Sequence, residues 1–284
     1  MKQQVNYIIS ELRGFYPEEE LRELAYWILE ETTGMTRTQI LTDCKDTQNI
    51  SNMEIILQKL RAHEPIQYIF GHTEWMGLDL RVTPATLIPR PETAELAEWI
   101  LQVGDRDNPL QVLDIGTGSG CIAITLKKAA PKWQVMGIDI SEEALAVAKE
   151  NATRNKVEVN WLQADILSPI ANSSLPIADI IVSNPPYICN SEKKDMDARV
   201  LDYEPHSALF VPDTDPLLFY RQIASLASSP HRLIASSPLN LFFEINEAYG
   251  NEVCAMMEQM GYTDIKLKND MYGKPRMVFG AITR

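Results

Sequence analysis

The sequence predicts an α/β protein built on a mostly parallel sheet with helices on both faces, preceded by a small helical bundle and a β-hairpin. Three observations predict it. Strand-like apolar runs alternate with helical stretches from about residue 110 to the carboxyl end, the pattern of a parallel sheet whose connections return as helices. The first of those runs passes through Gly116-Thr117-Gly118-Ser119-Gly120 into a helical stretch, a turn that brings backbone close to a ligand at a strand's carboxyl end. Before all this, apolar residues between Val5 and His63 recur at helical spacing. A chain of 284 residues that is 45% hydrophobic can bury one substantial core and a second small one.

The elements follow in order. Pro17 and three glutamates open a helix whose buried stripe is Leu21, Leu24, Ala25, Ile28 and Leu29. Ser51 and Glu54 stand in capping-box register ahead of a second stripe, Met53, Ile56, Leu57 and Leu60. Residues 1–70 therefore read as a helical bundle. Between 71 and 90 the composition turns aromatic and β-branched with Gly77 at a turn, which reads as a β-hairpin linking two domains. Residues 91–284 carry the runs LQVLDI, QVMGID, VEVNWLQ, ADIIVS, LNLFFEI, YTDIKLK and RMVFGAI, the strands of the main domain.

Composition excludes several classes. The formal net charge is -13, from 39 acidic and 26 basic residues without a basic block, which argues against holding duplex nucleic acid by phosphate neutralisation. Cys44, Cys121, Cys189 and Cys254 are scattered, as are His63, His72, His206 and His231, so no metal-ligand spacing is present and no metal is expected. The acidic amphipathic start and the lack of an apolar run near the length of a membrane span lead to the expectation of a cytoplasmic protein without membrane attachment.

Two features mark the candidate cofactor site. In G-x-G-x-G, Cys121 follows Gly120, so the spacing departs from the dinucleotide fingerprint G-x-G-x-x-G. Nineteen residues beyond Gly120, the second strand of the sheet ends in Asp139, where a carboxylate can accept hydrogen bonds from both ribose hydroxyls. A helix cap is the alternative role for Asp139. The next strand ends at Asp165-Ile166, where a polar group can meet an adenine amino group or simply close a turn. Glycine turn and distal carboxylate together indicate a nucleoside site.

The most specific signal is Asn184-Pro185-Pro186-Tyr187 at the end of ADIIVS. Consecutive prolines stiffen the backbone and remove amide donors, leaving carbonyl acceptors. Asn184 adds a side-chain oxygen, so two acceptors can hold one planar NH2 group while Tyr187 packs against it. Such a nitrogen is a poor nucleophile because its lone pair is delocalised, and positioning it against a sulfonium-bound methyl carbon is the chemistry these residues suit. Asn184 and Tyr187 are the candidate catalytic residues.

The sequence resembles the PrmC/HemK family of protein-(glutamine-N5) methyltransferases, through Glu64-Pro65-Ile66-Gln67-Tyr68-Ile69-Phe70-Gly71, Leu87-Ile88-Pro89-Arg90-Pro91-Glu92-Thr93, the glycine turn, Asp139, Asn184-Pro185-Pro186-Tyr187 and Tyr203-Glu204-Pro205. The resemblance implies a Rossmann-like class I methyltransferase sheet with the last strand antiparallel. It implies S-adenosylmethionine as donor and S-adenosylhomocysteine as product. It implies the glutamine of the Gly-Gly-Gln motif in peptide-chain release factors as target, and so a role in translation termination. On it, Gly116, Thr117, Gly118, Ser119, Gly120, Asp139 and Asn184 contact the donor, Asp165 and Ile166 meet adenine, and Asn184, Pro185, Pro186 and Tyr187 hold the substrate amide. Residues 1–70 then become a substrate-recognition domain, 71–90 a linker and 91–284 the catalytic domain.

Two departures stand out. Pro238-Leu239 occupy a place where the family has paired glycines, and Asn246 one where it has glycine. Asp213-Thr214-Asp215-Pro216 also lacks family glycines. The competing function is an adenine-N6 or guanine-N2 nucleic-acid methyltransferase, because Asn-Pro-Pro-Tyr also suits a flipped base. The acidic helical region favours a protein substrate and speaks against direct nucleic-acid binding.

Overall fold

The computed structural model describes residues 1–42, 52–168, 176–228 and 238–283. Ser51, expected to cap a helix, lies outside the described residues. The chain forms two units, one of residues 1–71 with 197–203, the other of 72–196 with 204–284.

The smaller unit is helical. Helices α1 (Lys2–Leu12), α2 (Glu18–Thr33), α3 (Arg37–Thr42), α4 (Met53–Arg61) and α5 (Ile66–Phe70) enclose a core that includes Ile8, Leu12, Leu21, Ile28, Leu29, Leu57 and Leu60. Helix α2 begins after Pro17 with Glu18, Glu19 and Glu20 in its first turn and ends at left-handed Gly34, the ends its sequence calls for. Residues 197–203, which include helix α9 (Ala198–Leu201), belong to this unit. There Arg199 binds Glu20 at 2.8 Å and the Tyr203 hydroxyl donates to the Ala62 carbonyl at 2.6 Å.

The larger unit opens with the hairpin β1 (His72–Trp75) and β2 (Leu78–Arg81). Its turn places Met76 at φ 49° and Gly77 at φ 70°, the paired positive φ of a two-residue hairpin turn. Helix α6 (Pro91–Val103) follows, with proline in its first turn.

Its main sheet has strands β3 (Gln111–Ile115), β4 (Gln134–Asp139), β5 (Asn160–Gln163), β6 (Ile180–Ser183), β9 (Leu239–Glu244), β10 (Thr263–Asn269) and β11 (Pro275–Ile282), ordered β10-β11-β9-β6-β3-β4-β5. The last strand, β11, runs antiparallel to both its neighbours, and the pairs among β9, β6, β3, β4 and β5 are parallel. One face packs Leu96, Ile100, Ile124, Leu126 and Trp133 against Val112, Ile180 and Phe242; the other packs Tyr220, Ile223, Val253 and Met257 against Leu113, Ile181 and Phe243. Alternate residues of each strand thus feed opposite cores.

Helices α7 (Cys121–Ala129), α8 (Glu142–Arg154), α10 (Leu218–Ser228) and α11 (Gly250–Gln259) complete the layers. A short parallel pair, β7 (Ile188–Cys189) with β8 (Phe210–Val211), follows the proline motif; at two residues each, these strands carry no readable alternation.

Candidate active site

The register of the parallel strands assembles the site. Ile115 is level with Ile138 on β4 and with Ser183 on β6, and Ser183 with Phe243 on β9. The next residues, Gly116, Asp139, Asn184 and Glu244, therefore form a row along the carboxyl edge of the sheet, where open α/β sheets bind ligands.

In the glycine turn Gly116, Gly118 and Gly120 all have positive φ, at 73°, 55° and 80°, conformations that disfavour a side chain. Among the described residues nothing lies within 4 Å of where a Cβ on Gly118 would sit, and the nearest atom to one on Gly116 is the Asn184 carbonyl oxygen at 3.9 Å. The turn is anchored by the Gly116 and Thr117 amides donating to the Ile138 carbonyl at 2.8 and 2.9 Å. Ser119 is buried, and its carbonyl accepts from Asn151 Nδ2 at 2.9 Å.

Asp114 lies fully buried beneath the turn. Its Oδ2 accepts from the Thr117 hydroxyl at 2.6 Å and the Ala123 amide at 3.2 Å, while Oδ1 has no partner among the described residues. Burial pushes its carboxyl up to about 7.

Asp139 accepts from the Gly118 amide at 2.8 Å and the Ser141 amide at 3.0 Å. Ser141 caps α8, its hydroxyl accepting from Ala144, so the capping role weighed for Asp139 falls to Ser141. The Ala164 amide donates to the Asp139 carbonyl at 2.9 Å, which ties the end of β5 to the end of β4. Beyond it Ile166 is buried, and the exposed Asp165 accepts from the Leu167 amide at 2.9 Å.

The proline motif turns away from the sheet after Ser183, whose hydroxyl donates to the Ile115 carbonyl at 2.6 Å. Asn184 Nδ2 donates to the Thr93 hydroxyl oxygen at 3.2 Å, and that hydroxyl donates to Glu244 at 2.6 Å. Tyr187 donates to the other oxygen of Glu244 at 3.2 Å. Burial pushes Glu244 upward, opposed by these hydroxyls and by Arg276. Burial and the adjacent Glu244 raise Tyr187 well above the ordinary phenol range. Pro185 is buried and Pro186 half-buried.

Asn246, where glycine was expected, has φ -64°, so no left-handed backbone is needed. Its Nδ2 donates to the Tyr187 carbonyl at 3.1 Å and to Glu192, while its Oδ1 accepts from the Ala248 amide at 3.0 Å. Asp213 accepts from the Ser191 amide and hydroxyl, both at 2.9 Å, and so shapes the loop through side-chain bonds.

The structure therefore joins Gly118 to Asp139, and links Asn184, through Thr93, to the same carboxylate that Tyr187 meets directly. Sequence reasoning singled out neither Glu244 nor Asp114, nor the contact of Thr93 with Asn184. The available signal for Glu244 is an acid directly after the apolar Leu241-Phe242-Phe243. In sequence, Glu204 stands out only within Tyr203-Glu204-Pro205. It accepts from the Ile88 amide at 3.1 Å and pairs with Arg90, holding the 88–93 turn.

Residues 3–71 match the family described as the PrmC N-terminal domain, and residues 97–202 the methyltransferase small domain. Over 283 residues the chain is 44% identical to the release factor glutamine methyltransferase of Bacteroides thetaiotaomicron, covering 96% of each. This chain belongs to the release factor glutamine methyltransferase family. The family member from Flavobacterium psychrophilum is 43% identical over 278 residues, covering 95% of each chain. Among solved structures, a methyltransferase from Pyrococcus furiosus has a TM-score of 0.52 at 18% identity, over 81% of this chain and 98% of that one. The hMettl16 catalytic domain in complex with an RNA hairpin has a TM-score of 0.56 at 16% identity, over 73% of this chain and 76% of that one. These two structures establish the shared fold, the class I methyltransferase sheet.

Proposed function

We propose that this enzyme transfers the methyl group of S-adenosylmethionine to the side-chain amide nitrogen of the glutamine in the Gly-Gly-Gln motif of peptide-chain release factors, acting in the cytoplasm during translation termination. The observation that carries the reading is the placement of Asn184 beside Gly116 at the sheet's carboxyl edge, a substrate motif against a donor turn.

The residues suit such a donor. The space that the described residues leave open beyond Gly118 and the carboxylate of Asp139 offer room and hydrogen-bond acceptors to a cationic nucleoside. On this reading Asp139 holds the ribose hydroxyls, the backbone at Asp165-Ile166 borders adenine, and Gly116 to Gly120 line the amino-acid end. The donor supplies an activated methyl on a good leaving group; no metal has a part in the scheme.

This chain's residues supply position. Asn184 and a prolyl carbonyl accept the two amide hydrogens of glutamine, and Tyr187 packs against the amide plane. The new N–CH3 bond forms as the S–CH3 bond breaks, its electron pair remaining on sulfur to leave neutral S-adenosylhomocysteine. The nitrogen then sheds one proton to solvent. An amide offers the same pocket wherever it occurs, so selectivity requires contacts elsewhere; residues 1–70 are proposed to recognise the release factor.

The formal charge of -13 favours a protein over a nucleic-acid substrate. Incubation with S-adenosylmethionine and a release factor, followed by peptide mass spectrometry, tests the proposal. The expected result is one added methylene mass on the Gly-Gly-Gln glutamine; a glutamine of unchanged mass would overturn it.

A further inference from the structure

Strand β9 ends in a buried acid, Glu244, that Tyr187 meets directly and Asn184 reaches through Thr93. Glu244 is 1% exposed. One of its oxygens accepts from Thr93 and the other from Tyr187. Thr93 sits in the first turn of α6, 151 residues away in sequence.

The donors and acceptors in this chain of contacts can be counted. A threonine hydroxyl has one hydrogen, and a carboxylate can only accept. The 2.6 Å separation between Thr93 Oγ1 and Glu244 places that hydrogen on the bond to Glu244. Thr93 then has only lone pairs to offer Asn184, so the atom of Asn184 at 3.2 Å must be the amide nitrogen. The opposite face of the same amide, the acceptor Oδ1, is left for substrate.

We infer that Glu244 and Thr93 are positioning residues that fix the rotation of the Asn184 amide, so that its oxygen and not its NH2 meets the substrate nitrogen. The inference rests on the proposed glutamine-amide reading and deepens it. An asparagine turned by half a rotation would present two hydrogens to a group that also carries two, a repulsive contact in place of an acceptor. Glu244 also orients Tyr187 through its hydroxyl. Two residues on, Asn246 holds the Tyr187 carbonyl. Residues i and i+2 of an extended segment share a face, so the end of β9 and the residues that follow it carry both supports of the substrate loop. Arg276 supplies the nearby positive charge: its guanidinium donates to the Ile245 carbonyl at 3.2 Å and it opposes the rise of Glu244.

The test uses the full chain with S-adenosylmethionine and a release factor. Thr93→Val removes the hydroxyl at nearly constant size, and should lower kcat by about 10–100-fold, the scale of losing one preorganised polar group, with KM for both substrates little changed. Thr93→Ser should restore most of the rate. In an Asn184→Ala background the valine substitution should cost little more, because the group it positions is already gone. Glu244→Asp, which keeps the charge but draws it back by one methylene, should act in the same direction if Thr93→Val folds poorly. Nitrogen-15 NMR of the Asn184 side-chain amide should show a protected hydrogen that Thr93→Ser keeps and Thr93→Val loses. An active wild type whose kcat survives Thr93→Val, or a valine effect undiminished without Asn184, overturns the inference alone. A wild type that methylates no release-factor glutamine overturns the proposed function, and the inference falls with it.

Discussion

The Gly118 amide donates to the Asp139 carboxylate at 2.8 Å, joining the donor turn to the end of the neighbouring strand. Asp139 therefore shapes the turn, and on the proposed reading its remaining lone pairs take the ribose hydroxyls. Asp139→Ala should weaken S-adenosylmethionine binding by about 1.5–3 kcal/mol, the worth of hydrogen bonds to a charged group. Asp139→Asn, which keeps an acceptor for Gly118, should lose less. Calorimetric affinities equal to wild type in both would remove Asp139 from the site.

Asn184→Ala should reduce turnover by roughly 100-fold at saturating donor and release factor. Single-turnover rates measure this without interference from product release. An undiminished rate would show that the acceptor pair is not the catalytic device.

Asp114 should make stability depend on pH in an unusual direction. Its folded carboxyl, pushed up to about 7, holds a proton that the unfolded chain releases near 4. The stabilising difference is therefore present below about 4 and is lost as pH rises through about 7, a change of about 4 kcal/mol at most. Asp114→Asn should flatten that part of the urea-stability profile between pH 4 and 7. A cationic donor bound above the turn should also expel the proton, so calorimetry at pH 6 in buffers of different ionisation heat should detect proton release. Parallel profiles for wild type and variant would exclude the effect.

Glu204 is almost wholly buried, while Arg90 retains about a third of its exposure. Removing the acid leaves Arg90 and the Ile88 amide without their partner, and Glu204→Ala should cost about 2–4 kcal/mol in stability. Denaturant midpoints provide the measurement; a change below about 0.5 kcal/mol, the range of ordinary surface substitutions, would contradict it.

On the helical unit the side chains of Tyr7, Phe15 and Ile55 stand exposed. If this unit recognises the release factor, replacing them with serine should raise KM for the intact protein several-fold and leave KM for a Gly-Gly-Gln peptide unchanged, because a peptide lacks remote contacts. Equal effects on both substrates would count against recognition by these side chains.

The strands of the main sheet, the glycine turn and the proline motif were legible because each depends on local pattern: apolar runs, left-handed glycines, paired prolines. Glu244 was not, since a strand-ending acid is usually solvated, and only pairing with β6 and β11 buries it. The link from Asn184 to Thr93 spans 91 residues, beyond any periodicity. The return of residues 197–203 to the helical unit is equally silent in sequence, because Arg199 and Tyr203 read as ordinary polar positions until Glu20 and Ala62 stand beside them. Met76 took a left-handed conformation that its side chain does not favour, imposed by the hairpin turn.

Asn151 grips the hairpin at Arg81 by both main-chain groups, accepting from its amide at 2.6 Å and donating to its carbonyl at 2.9 Å, and the same side chain also donates to the Ser119 carbonyl inside the donor turn. One buried asparagine thus gears the hairpin to the glycine turn, the proposed cofactor cradle. The Arg81 amide becomes a remote gauge of that cradle: its deuterium uptake should slow when the turn is clamped by ligand and quicken when Asn151 is shortened to alanine, giving a way to watch donor occupancy from outside the pocket.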